Sequence, residues 1–171
     1  MLCCTGCSSE TSDRLALSPR TDWQAGELTI VSPVRFEPTA AMREALARGV
    51  DLQLDVQTRV SRRLGPVAWR VAGRQHPVRI RFLPLTEQWE LDVAGSRETF
   101  PRLWLLLDAL AEPRRFGTGF MRAQSEGGDW QIQVRARFDR SALPAPMHLP
   151  SLLSAQWRLT SQWHTWRLDA S

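Results

Sequence analysis

The sequence predicts a mainly β fold of the α+β kind, an antiparallel two-sheet β-sandwich-like domain with two packed α-helices. Three observations lead there. Segments of apolar–polar alternation recur from Glu27 onward, the mark of strands buried on one face and wet on the other. Two segments switch to helical spacing and carry helix start and stop residues. The resulting order, strands interrupted twice by a helix, suits two sheets packed face to face better than one curved sheet covered by helices. At 171 residues the chain is long enough to bury a core without a disulfide or a metal.

Taken in order, Leu52, Leu54, Val56 and Val60 share one strand face, with Gln53, Asp55, Gln57 and Arg59 on the other. Gly65-Pro66 signals a turn into Val67, Trp69 and Val71, which predicts a hairpin. Val78, Ile80 and Phe82 alternate with arginines. Trp89, Leu91 and Val93 alternate with Gln88, Glu90 and Asp92, so a second hairpin turns around residues 84 to 87. The clearest strand places Trp130, Ile132, Val134, Ala136 and Phe138 inward and Gln131, Gln133, Arg135 and Arg137 outward.

The first helix is predicted from Glu37 to Arg48, with Pro38 early, Met42, Ala45 and Leu46 on one stripe, and Gly49 past the end. The second runs from about Phe100 to Ala111, with Thr99 as N-cap, Pro101 in the first turn and Pro113 beyond the stop. Its Leu103, Leu106, Leu107 and Leu110 form a wide apolar face, so it is expected among the most buried elements. Beyond Asp139, Pro144 and Pro146 carry a connector, and two short strands are expected to hold Trp157, Trp163 and Trp166.

All 22 basic residues are arginine, and lysine, asparagine and tyrosine are absent, a pattern that a GC-rich coding sequence explains at once. The net charge of +4 favours anionic partners, yet the longest basic runs are only Arg62-Arg63 and Arg114-Arg115. A nucleic-acid binder gathers such charge into a stripe, so a cytoplasmic, arginine-rich nucleic-acid-binding protein is an alternative and not the leading reading.

Cys3, Cys4 and Cys7 are the only cysteines. Cys4-Thr5-Gly6-Cys7 followed by Ser8-Ser9 looks like the end of a bacterial lipoprotein signal, in which small residues precede the acylated cysteine. The basic start and apolar stretch of such a signal do not precede it, which fits a true start upstream of Met1. A redox or metal pair at Cys4 and Cys7, without a second ligand pair, and incidental thiols on a frayed terminus are the competing readings. Residues 1–26 are thus expected to be a signal remnant and flexible tether, and residues 27–171 a single β-rich domain. No run of 18 apolar residues exists, so the membrane is reached by the lipid on Cys7 alone.

Near the C-terminus, Arg135, Arg137, Leu143, Pro144 and Pro146 are followed by Trp157, Leu159, Ser161, Trp163 and Trp166. Earlier stand Phe36, Pro38, Ala45, Leu46, Gly49 and Val50. In these two patterns, over roughly residues 27 to 168, the chain resembles an uncharacterised proteobacterial family of exported proteins catalogued as domain of unknown function 4390. The resemblance implies export across the inner membrane, and genes of this family lying beside one for a membrane sensor histidine kinase make such a kinase a contextual candidate for a partner. It implies no reaction, cofactor or substrate.

Catalytic sets are not legible. His76, His148 and His164 have no G-x-S-x-G serine beside them, no His-x-x-x-His pair suits zinc, and Gly117-Thr118-Gly119 lacks the lysine of a phosphate loop. The leading expectation is a non-enzymatic, periplasm-facing envelope protein acting through protein–protein contact. Cys7 is its lipidation site, Trp157, Trp163, Trp166, Arg135 and Arg137 are its contact candidates, and no cofactor, metal or nucleic acid is expected. A periplasmic ligand-binding or accessory module for a sensor kinase is the alternative, and it requires an apolar pocket between the sheets.

Overall fold

In the computed structural model, residues 14–168 are described. Among them twelve strands form three antiparallel sheets, joined by three α-helices. The mainly β, α+β architecture is the expected one, with a third sheet and a third helix added.

The chain opens with β1 (Leu15–Leu17) and β2 (Arg20–Gln24), residues expected to lie in a tether. Leu15 and Leu17 are buried in the core and Trp23 packs against it, so the domain begins before Glu27. β1 is three apolar residues without alternation and β2 carries Trp23 alone among polar residues, so neither shows a period. β3 (Glu27–Ser32) and β4 (Val34–Phe36) follow; β4 pairs with β1, while β3 lies between β2 and β10 (Arg114–Met121).

The principal sheet has seven strands. β5 (Leu52–Leu64) is its longest, and the returning chain pairs with it twice, as β6 (Val67–Ala72) and then β7 (Gln75–Leu83). A bulge separates the two, where Val60 opposes Ala72 and Ser61 opposes Arg70. Gly73 sits at that break, where an added Cβ would lie 2.5 Å from the Thr58 carbonyl oxygen. β8 (Gln88–Val93) and β9 (Ser96–Phe100) extend the sheet on one side, and β11 (Trp130–Phe138) and β12 (His164–Arg167) on the other. Both hairpins read from the sequence form, and β11 has the bounds and alternation expected of it.

α1 (Ala40–Ala47) buries Met42, Ala45 and Leu46; the Thr39 hydroxyl caps it by accepting from the Met42 N–H at 3.3 Å. α2 (Leu103–Leu110) is shorter than expected. Thr99 stays in β9 opposite Glu90, and Arg102 takes the N-cap position without a side-chain bond. Only Leu106 and Leu110 of this helix are fully packed, and Trp104 faces solvent. α3 (Ala145–Leu153) occupies the expected connector. Prolines at 146 and 150 within it, and at 144 just before it, hid it from a reading by propensity.

The inner face of the large sheet supplies Leu52, Leu54, Val56, Val78, Ile80, Leu91, Ile132, Val134 and Ala136 to one core with Leu28, Ile30, Phe116 and Phe120 of the three-stranded sheet. Polar seams fasten that cover to the large sheet. The Thr58 hydroxyl donates to the Gly117 carbonyl at 3.2 Å, and His76 Nε2 donates to the same oxygen at 2.7 Å.

Candidate functional site

The outer face of the seven-stranded sheet is a polar field ordered by register. Arg137 stands opposite Asp55 and pairs with it at 3.3 Å, and Arg135 stands opposite Gln57 and donates to its side-chain oxygen at 3.0 Å. Gln53 donates to Asp139 at 3.2 Å, and Arg81 pairs with Glu90 at 3.0 Å. Cross-strand charge pairs of this kind steady a solvated sheet face and are ordinary in antiparallel sheets.

At one end of this face the pairing runs out. Asp55 and Glu87 bracket a stretch with seven arginines (59, 62, 63, 70, 74, 79 and 81) and no acidic residue. Arg74 and Arg81 find carboxylates, in Glu27 and in Asp51 and Glu90. Among the described residues Arg59, Arg62, Arg63 and Arg70 have none within ion-pair distance. All four lie on β5 and β6 toward the hairpin tip.

Register sorts this ribbon into two faces. Leu64 opposes Val67 and Arg62 opposes Trp69 on the side continuing the core face; Ser61 opposes Arg70 and Arg63 opposes Ala68 on the other. The apolar side has outrun its cover, leaving Leu64 and Trp69 about 60% open, at 58% and 63%, with Val67 and the bulge residue Val71 also exposed. The core closes at the ribbon's base with Trp23, Phe120 and Trp130. Phe120 and Trp130 have ring centroids 4.7 Å apart, Arg62 covers Trp130 at 5.8 Å and Arg122 covers Trp23 at 5.1 Å. Among the described residues β6 pairs only with β5, so its far edge presents backbone groups that no other described strand pairs with.

The contact residues expected from the sequence do not gather into one site. Trp163 lies beside the ribbon's base, half-buried, with the guanidinium carbons of Arg59 and Arg135 each 4.4 Å from its ring centroid. Burial, reinforced by Arg70, lowers the Arg59 pKa from its ordinary value; burial, then Arg59 and Arg137, lowers that of Arg135. Trp166, opposite Ile132, packs against the core. Trp157 stands in a 3₁₀ turn at the sheet's other end and not in a strand; it is buried with its ring centroid 5.7 Å from Phe138. Cys7 lies outside the described residues.

Trp157 and Phe138 line a cavity of about 570 Å³ with Arg137, Asp139, Arg140, His148, Leu152, Arg158 and Leu159. This cavity lies at the edge of the large sheet against α3, not between the sheets. Asp139 is occupied, accepting from the Ser141 backbone N–H at 3.0 Å and from its hydroxyl at 2.6 Å. Four residues that carry the C-terminal resemblance, Arg135, Arg137, Trp157 and Trp163, are now placed at the sheet's two ends. A family model described as a domain of unknown function, DUF4390, matches residues 18–167. The chain belongs to the DUF4390 family.

The match takes in β2, so the DUF4390 domain includes residues first read as tether. Neither curated proteins nor solved structures yield a match. Among the described residues, no three His, Cys, Asp or Glu side chains gather where they could hold a metal ion, and no helix is long and apolar enough to cross a membrane. The hairpin that forms the ribbon of this DUF4390 protein is the one expected from Gly65-Pro66, but its standing as a candidate site was missed, although the signal was visible: seven arginines without an acid, interleaved with Leu64, Val67 and Trp69.

Proposed function

We propose that this DUF4390 protein is a non-catalytic component of the bacterial cell envelope that works by protein–protein contact, and that the β5–β6 ribbon is the contacting element. The observation that carries the reading is the ribbon's two-faced build. Among the described residues one face is uncovered and mainly apolar, the other is cationic without counter-charge, and the outer strand has an edge that no other strand pairs with. An extended segment adding to that edge would satisfy the open backbone groups. Its apolar residues would meet Leu64, Val67 and Trp69, and its acidic residues would meet Arg63 and Arg70. The partner chemistry is therefore an acidic strand with alternating apolar residues, as an extracytoplasmic segment of a sensor kinase can supply.

A photo-activated cross-linking residue at position 67 tests this in cells. One discrete protein adduct is expected there, lost when Arg63→Glu and Arg70→Glu are introduced, and none from position 85, an exposed turn elsewhere on the sheet. No adduct at 67, or one indifferent to the charge reversal, removes the ribbon as the contact. Compartment is tested separately by metabolic labelling with an alkyne fatty acid, using the full upstream reading frame. Label that is abolished by Cys7→Ser supports the envelope reading, and unlabelled protein removes the anchor.

The cavity beside α3, with its aromatic floor and arginine rim, suits an amphiphilic anion, but it lies at the sheet's edge and is not the pocket between the sheets that the ligand-binding alternative requires.

A further inference from the structure

α3 is built the opposite way round from a helix of a water-soluble core. Its sequence, Ala-Pro-Met-His-Leu-Pro-Ser-Leu-Leu, has no charged side chain. Leu149, Leu152 and Leu153 fall at the i, i+3, i+4 spacing of one helical stripe, and that stripe faces outward, 73%, 48% and 84% exposed. Among its described side chains the one turned fully inward is Ser151, whose hydroxyl donates to the His148 carbonyl at 2.8 Å. A helix whose apolar stripe points away from the core marks a surface that something else covers.

The orientation is held on both flanks. His148 Nε2 donates to the Leu143 carbonyl at 2.7 Å, and Arg158 donates to the Leu152 carbonyl at 2.6 Å, while Met147 packs on the core. Two cations stand beside the stripe. Arg140 and Arg158 line the adjoining cavity, and among the described residues neither has a carboxylate within ion-pair distance.

The described chain also begins at this end. Arg14 lines a second cavity with Thr39, Arg43, Gln156 and Leu159, and Leu159 lines the cavity under α3 as well. Seven residue steps separate Arg14 from Cys7, a reach of at most roughly 25 Å. The ribbon tip lies at the other end of β5, some ten residues or roughly 33 Å away.

We infer that α3 is a membrane-docking helix: Leu149, Leu152 and Leu153 enter the interface of an anionic phospholipid bilayer, and Arg140 and Arg158 hold its headgroup phosphates. Leucines in the interface plane flanked by arginines are the pattern of helices that lie on a membrane. A second copy of the chain fits less well. The open surface of the stripe is about two leucine side chains, far below the roughly 800 Å² per partner of a stable protein interface. The inference rests on the envelope reading for its biological setting but not on the ribbon, and it makes the α3 end membrane-proximal.

The test uses the purified full chain without acylation, floated with vesicles of phosphatidylglycerol mixed with phosphatidylcholine, and with pure phosphatidylcholine as control. Binding to the anionic vesicles and weak binding to the neutral ones is expected. Leu149→Ser with Leu153→Ser should lower partitioning by about tenfold or more, and Arg140→Glu with Arg158→Glu should abolish the preference for anionic lipid. Val67→Ser with Trp69→Ser at the ribbon should leave it unchanged. Leu153→Ser alone supplies a milder variant if the double change lowers the melting temperature. Absence of vesicle binding, binding indifferent to the leucine or arginine changes, or binding lost with the ribbon variant overturns the proposal. So does a dimer, detected by sedimentation, that the leucine variant dissolves. Because the chain is unacylated, failure here leaves the Cys7 labelling and ribbon cross-linking results standing on their own.

Discussion

Leu54 and Leu64 stand on the same strand with the same parity, yet Leu54 is fully buried and Leu64 is more than half exposed. The two halves of the β5 ribbon share one alternation and meet different fates. What differs lies outside the strand. Near Leu54 and Thr58 the three-stranded sheet and its seam at Gly117 close over the inner face; past Trp130 no described element covers Leu64, Val67 or Trp69. Alternation fixes which side chains share a face, whereas burial depends on a cover contributed by residues distant in sequence.

The largest test of this contrast is on the cover itself. Phe120→Ala removes a fully buried ring that meets Trp130 and Trp23, and should cost about 3–5 kcal/mol in denaturant unfolding. A cost below about 1 kcal/mol would mean the small sheet does not close the core. Next comes the outer face of the covered half. Arg137→Ala strands the buried Asp55 carboxylate without its ion-pair partner, and a loss of about 1–3 kcal/mol is expected, partly regained by Asp55→Asn in the double mutant.

A smaller effect follows acidification. Burial holds the His76 pKa below its ordinary 6.5, against the opposing pull of its bond to Gly117; Arg74 lowers it further and Glu27 raises it. The unfolded chain therefore takes up a proton near pH 6.5 that the folded chain refuses. Stability should be full above that pH and fall as pH drops toward the folded value. His76→Gln should flatten that part of a stability-versus-pH curve, and an unchanged curve would show that the seam is not what titrates. Least of all, Val67→Ser with Trp69→Ser in the uncovered half should move stability by no more than about 0.5 kcal/mol. A substantially larger loss would show that the exposed ribbon is packed after all.

These contrasts also explain which features could be read from the residues alone. β5, β8 and β11, both hairpins and α1 were legible because each carries its own period and punctuation. β1 and β2 were not, since three to five residues give alternation no room, and their burial comes from β3, β4 and the core. α3 was hidden by its prolines, and its outward leucines defeat the assumption that an apolar stripe faces the core. Of the contact residues, Trp163 and Trp166 were correctly given opposite parity, and they take opposite faces of the sheet. Their separation from Trp157 was not legible because it depends on the path through α3 and the 3₁₀ turn at Ala155–Trp157.

The unshared border of β6 has a consequence for how the molecule behaves among its own kind. Two copies meeting there would bring together Arg70 of each β6, with Arg63 one strand behind, and among the described residues no carboxylate pairs with either, so the residues that welcome an acidic strand turn a twin away. At physiological ionic strength that repulsion reaches about 8 Å, enough to act across a strand pair; at 1 M salt it shrinks to about 3 Å. Concentrated salt should therefore release self-association, measured as a larger sedimentation coefficient at 1 M salt than at physiological ionic strength.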